Sequence, residues 1–96
     1  MPYIPREDRT AVLPTLDPLL AHLESVPDDK VDGVLNYCIS RIVANTLGHK
    51  GWRYRLIARA VAVFKAAGDE FYRRVAGPYE DKAIVKNDDI PEYLNQ

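Results

Sequence analysis

Tyr54 to Val75 reads YRLIARAVAVFKAAGDEFYRRV, and its seam positions fall at 54, 57, 61, 64, 68, 71 and 75. Steps of three and four without a break predict one amphipathic helix with the heptad spacing that lets helices pack side by side. The expected class is therefore all-α: a small bundle of two to three main helices, the long one over about 52–76. Gly77-Pro78 reads as its stop signal. Gly68 lies in the middle of the seam, where glycine costs about 1 kcal/mol relative to alanine. Close approach of a neighbouring backbone is the expected compensation.

Upstream, Val31, Val34, Leu35, Cys38, Ile39, Ile42, Val43 and Leu47 step at the same helical period. They predict a second helix, capped by Asp28 or Asp29 and ending at the turn Gly48-His49-Lys50-Gly51. Asp17-Pro18 has the form of an earlier helix start, with Leu19, Leu20 and Leu23 facing inward and Val26-Pro27 closing it. Pro5 and Pro14 leave room for two helical turns at most before that. The last stretch, 79–96, is acidic and sparsely apolar, and reads as a tail or arm on a single domain spanning 1–96.

The chain has 96 residues, 47% of them apolar and 28% charged, a folded rather than disordered balance. One cysteine excludes an internal disulfide framework and fits a reducing compartment. The opening residues lack the apolar core of a signal peptide, and no apolar run reaches the roughly 18 residues of a membrane span. A cytoplasmic location without membrane attachment is expected. A helix of about 25 residues is about 37 Å long, more than the shorter helices can cover. Alanines 58, 60, 62, 66 and 67 flank its seam. Self-association as a dimer or higher homo-oligomer follows.

The net charge of −1 conceals an uneven distribution. Residues 41–74 carry eight Lys or Arg against two Asp or Glu, whereas both flanking segments are acidic. Arg55, Arg59 and Arg73 project from the face opposite the seam, with Arg74 to one side. Guanidinium forks suit phosphate and carboxylate. Asp69 and Glu70, one turn before Arg73 and Arg74, suit helical ion pairs instead. A self-paired surface and an anion site both remain open. Trp52 and Tyr79 are the candidate stacking aromatics, while Tyr54 and Tyr72 are expected to pack in the core. His49-Lys50-Gly51-Trp52-Arg53 is basic, flexible and aromatic, but lacks a surrounding nucleic-acid-binding motif. No histidine has a second ligand at metal spacing, Cys38 lies on an apolar stripe, and no phosphate-loop, dinucleotide or nucleophile-elbow motif is present. No catalytic residue, metal site or cofactor is predicted.

Met1-Pro2-Tyr3-Ile4, Asn36-Tyr37-Cys38-Ile39-Ser40-Arg41, Glu70-Phe71-Tyr72-Arg73-Arg74-Val75 and Pro78-Tyr79-Glu80-Asp81-Lys82 with Asn87-Asp88 resemble a family of small uncharacterised proteins of phages and prokaryotes. The resemblance spans nearly the whole chain and implies no activity. It implies a setting, that of a phage or mobile-element accessory protein. The expected function is that of a non-enzymatic, homo-oligomeric helical binding protein, a phage accessory or anti-defence protein that sequesters a nucleotide or other phosphate-bearing ligand. Arg55, Arg59, Arg73 and Arg74 would hold the phosphate, and Trp52 or Tyr79 would stack. The alternatives are a protein–protein module or inhibitor engaging a host or phage protein, and a nucleic-acid accessory protein. A pI near 6.1 argues against the last.

Overall fold

The computed structural model describes residues 2–94, which form helices and connecting turns with no strand among them. Helix α1 spans Arg6–Glu24, α2 Val31–Gly48 and α3 Tyr54–Phe71. A π-helical turn, Tyr72–Ala76, follows α3 directly and leads into α4, Gly77–Asn87; α5, Pro91–Leu94, is one short turn. Contacts divide the chain into two compact units, one of Tyr3–Val63 and one made mainly of the chain from Phe64 onward.

In the first unit α1 runs unbroken through Pro14 and Pro18, so neither the early two-turn segment nor a start at Asp17-Pro18 exists. The two prolines are four residues apart and both exposed, which confines their missing N–H donors to one solvent-facing side. The opposite side carries Leu16, Leu19, Leu23 and, just beyond the helix, Val26, all half-buried. That stripe stays in phase only if the helix continues through Pro18, and packing of α1 on α2 overrides local propensity. Leu20, expected inside, is exposed, and Leu16 takes its place. Lys30, rather than Asp28 or Asp29, is the residue before α2, and no side chain caps the helix.

The sequence places α2's apolar set correctly on helical turns, but the structure divides it. Val31, Val34, Cys38, Val43 and Leu47 are half-buried, whereas Leu35, Ile39 and Ile42 face solvent. Gly48 ends the helix, and a Cβ there would collide with the Trp52 indole, 2.5 Å from Cε2. The tryptophan ring folds back onto the helix terminus, and a larger residue at 48 would have to displace it. Gly51, at φ +101°, turns the chain into α3 through backbone space that favours glycine.

In the second unit the Gly77-Pro78 stop is overturned. The Gly77 N–H donates to the Tyr72 carbonyl, five residues back. This wider turn accommodates a proline that could neither donate to an α-helical carbonyl nor clear it sterically. A Cβ at Gly77 would sit 3.3 Å from the Tyr72 oxygen, so glycine eases the same turn. The helix expected to end near residue 76 hands on to α4, and most of the expected tail is helical.

The α3 seam is the largest departure. Tyr54, Ile57, Val61, Phe64 and Phe71 are all exposed, as is Val75 in the π turn. Gly68 has nothing within 4 Å of where a Cβ would stand, so no neighbouring backbone approaches it within this chain. Ala60 is the only buried residue among those described.

A basic cleft between two helix ends

The turn between α2 and α3 builds the most distinctive polar feature of the first unit. An open cleft of about 390 Å³ is lined there by His49, Lys50, Arg53, Arg55 and Arg59, with Leu47 and Leu56 among the apolar walls. No carboxylate lines it. Among the described residues none of Lys50, Arg53, Arg55 and Arg59 forms an ion pair.

The spacing follows from the helix. Arg55 and Arg59 are one turn apart on α3 and therefore share a face, while Gly51 bends Lys50 and Arg53 toward the same end. Leu56 and Ile57 N–H groups close the first turn on the Arg53 carbonyl, at 2.9 and 3.0 Å. The N–H groups of Tyr54 and Arg55 consequently have no intrahelical acceptor. The first turn of α3 holds no acidic residue, although the partial positive charge of a helix start favours one. Positive side chains stand where local electrostatics calls for negative ones. His49 Nδ1 lies 2.9 Å from the Asn45 carbonyl. A carbonyl only accepts, so Nδ1 carries the proton and Nε2 remains available.

Of the residues singled out in the sequence, Arg55 and Arg59 come together in this cleft. Trp52 is half exposed beside it but packs over Gly48 and does not line it. Lys50 and Arg53 do line it. Their signal was visible in the His49–Arg53 cluster, which sequence reasoning considered only as a nucleic-acid element. A neighbouring surface cleft of about 540 Å³ shares His49 and includes Tyr37 and Arg41. Arg41 Nη1 donates to the Tyr37 hydroxyl at 2.8 Å, and its guanidinium carbon lies 5.6 Å from the ring centroid. Both lie in the Asn36–Arg41 stretch that carries the family resemblance, but sequence analysis gave neither a binding role.

Arg73, Arg74 and Tyr79 belong to the second unit and have other surroundings. Arg73 grips Glu70 Oε1 through Nε at 3.1 Å and Nη2 at 2.6 Å. Asp69 pairs backward with Lys65 at 3.1 Å rather than forward with an arginine. Arg74 has no ion-pair or hydrogen-bond partner among the described residues, and Tyr79 is exposed. Tyr54 and Tyr72 are both exposed, contrary to their expected core roles. The Tyr72 hydroxyl donates to Glu80 Oε2 at 2.8 Å. That hydrogen bond, then the Glu80 charge, hold its phenol above the ordinary tyrosine value. Among the described residues no cluster of His, Cys, Asp or Glu could hold a metal ion. No helix there is long and apolar enough to cross a membrane.

A family model for a domain of unknown function, DUF6899, matches residues 1–90. The chain belongs to that family. The sequence resemblance to an uncharacterised family is thereby established for nearly the whole chain, and membership carries no activity with it. No curated protein and no solved structure matches the chain.

Proposed function

We infer that this is a non-enzymatic, homo-oligomeric helical binding protein whose ligand is a phosphate-bearing anion of the nucleotide type. The observation that carries this reading is the cleft at the start of α3, where Lys50, Arg53, Arg55 and Arg59 converge without a carboxylate. An anion there would satisfy the free N–H groups of the helix start and neutralise the arginines together. The structure-based candidate set is therefore Arg55 and Arg59 with Lys50 and Arg53. Arg73 is already neutralised by Glu70, and Arg74 and Tyr79 do not line the cleft. A cytoplasmic phage or mobile-element accessory protein is the setting that fits such a sequestering role.

The test is a thermal-shift panel of nucleoside mono-, di- and triphosphates, cyclic nucleotides and inorganic triphosphate, at low and moderate salt. Ligand at 100 times its dissociation constant adds about 2.7 kcal/mol of stability. Arg55→Gln with Arg59→Gln is expected to abolish the shift. If the wild-type protein is shifted by nothing in the panel, the anion reading is lost. The exposed Leu35, Ile39 and Ile42 stripe on α2 would then favour the second reading, a module that engages a host or phage protein.

A further inference from the structure

The most continuous exposed apolar feature among the described residues is a single stripe on α3: Tyr54, Ile57, Val61, Phe64 and Phe71, with Gly68 in register between the two phenylalanines. Tyr54 is 87% exposed and Val61 61%. A stripe of this length costs solubility when left open.

We propose that a second copy of this chain covers the stripe, the two α3 helices lying antiparallel with their seams facing. This assignment rests on the homo-oligomer part of the reading above and names the face that forms it. Three features select a second copy of α3 as the occupant. The stripe has the a/d spacing of a helix-to-helix seam, and an identical helix is the one partner certain to match its 18-residue length. Full antiparallel overlap sets Tyr54 against Phe71, Val61 against Phe64 and Ile57 against Gly68. The glycine thus gives the partner's isoleucine room, which explains an open position in a seam where nothing of its own chain approaches. A parallel pair would instead set Gly68 on Gly68 and leave a void, and would align the helix dipoles unfavourably. The flanks also fit: Ala58 and Ala67 border the seam within α3, and small flanking residues let two helices close.

The test uses the full chain. Sedimentation should give the wild type a mass of at least twice 10.9 kDa. Val61→Glu should reduce it to the monomer mass, whereas Ile39→Glu, on the exposed α2 stripe, should not. Single-cysteine chains in a Cys38→Ser background report orientation independently of whether Val61→Glu folds. Tyr54→Cys alone should form no disulfide dimer, because the two sites would lie about 25 Å apart along the antiparallel helices. Tyr54→Cys mixed with Phe71→Cys should cross-link. A wild type that stays monomeric overturns both the oligomer reading and this face. An oligomer that survives Val61→Glu overturns this face alone, and cross-linking of Tyr54→Cys with itself overturns the antiparallel arrangement. Anion binding by Arg55 and Arg59 is read separately by the thermal-shift panel.

Discussion

Two arginine-rich regions of this chain treat their charge in opposite ways. Around the π turn, acids answer the donors beside them: Glu70 takes Arg73 in a two-pronged contact, and Glu80 takes the Tyr72 hydroxyl, while Arg74 has no partner among the described residues. At the start of α3, four cations line one cleft and no carboxylate joins them. Both regions are rich in arginine. The difference is whether an acid stands three residues away on the same helix face, as Glu70 does for Arg73, which neutralises charge in one region and leaves it uncompensated in the other. Local rules of helix electrostatics are obeyed at the first and broken at the second, and such violations concentrate at functional sites.

The largest expected effect concerns the bend that forms the open region. Gly51 holds φ +101°, and Gly51→Ala should cost about 1–3 kcal/mol and weaken any anion binding with it. Equilibrium unfolding in denaturant measures the first, and the thermal-shift panel the second. Unchanged stability would mean that the turn relaxes to another conformation and that the cleft does not depend on it.

Next comes the direct comparison of the arginines. The Glu70 side chain is only 11% exposed, so Arg73→Gln strands a mostly buried carboxylate. Arg73→Gln should destabilise by about 1–2 kcal/mol. Arg55→Gln should act in the opposite direction, raising the stability of the ligand-free protein by about 0.3–1 kcal/mol, because it removes a cation from a helix start. Denaturant midpoints of the two variants check the signs. Equal signs would break the distinction between a paired and an open region.

The helical class was legible because periodicity reports which face of a helix is apolar. It does not report what covers that face. The seam from Tyr54 to Val75 was therefore read correctly as a helix and its flank, while its burial within one chain was not available to reading. The prolines misled in both directions for one physical reason. Pro14, Pro18 and Pro78 each lack a donor, yet solvent exposure accommodates the first two and a five-residue turn the third. Arg55 and Arg59 were legible as sharing a helix face, and both line the cleft. Their separation from Arg73 and Arg74 was missed because a helical projection shows angle without showing neighbours. That Lys50 and Arg53 line the same cleft was not legible, because a turn has no period to project.

The smallest effect expected is at Tyr72, and it tests the region around the π turn by titration. The Tyr72 phenol donates to the Glu80 carboxylate, so ionising it would remove the shared proton and set two negative charges side by side. Its pKa is raised for that reason, with a smaller push from Asp81. A raised pKa means that the folded state favours the neutral phenol. The stabilisation is fully present below the ordinary tyrosine value of about 10 and is lost as pH climbs through the folded-state value. An absorbance titration at 295 nm should therefore show one of the six tyrosines ionising late, and Tyr72→Phe should remove that late component. Glu80→Gln should bring the late component back toward the ordinary value, because the amide still accepts a hydrogen bond but carries no charge. If Glu80→Gln leaves the titration unchanged, the contact between Tyr72 and Glu80 does not persist in solution, and the π turn holds its shape through the Gly77 to Tyr72 backbone bond without it.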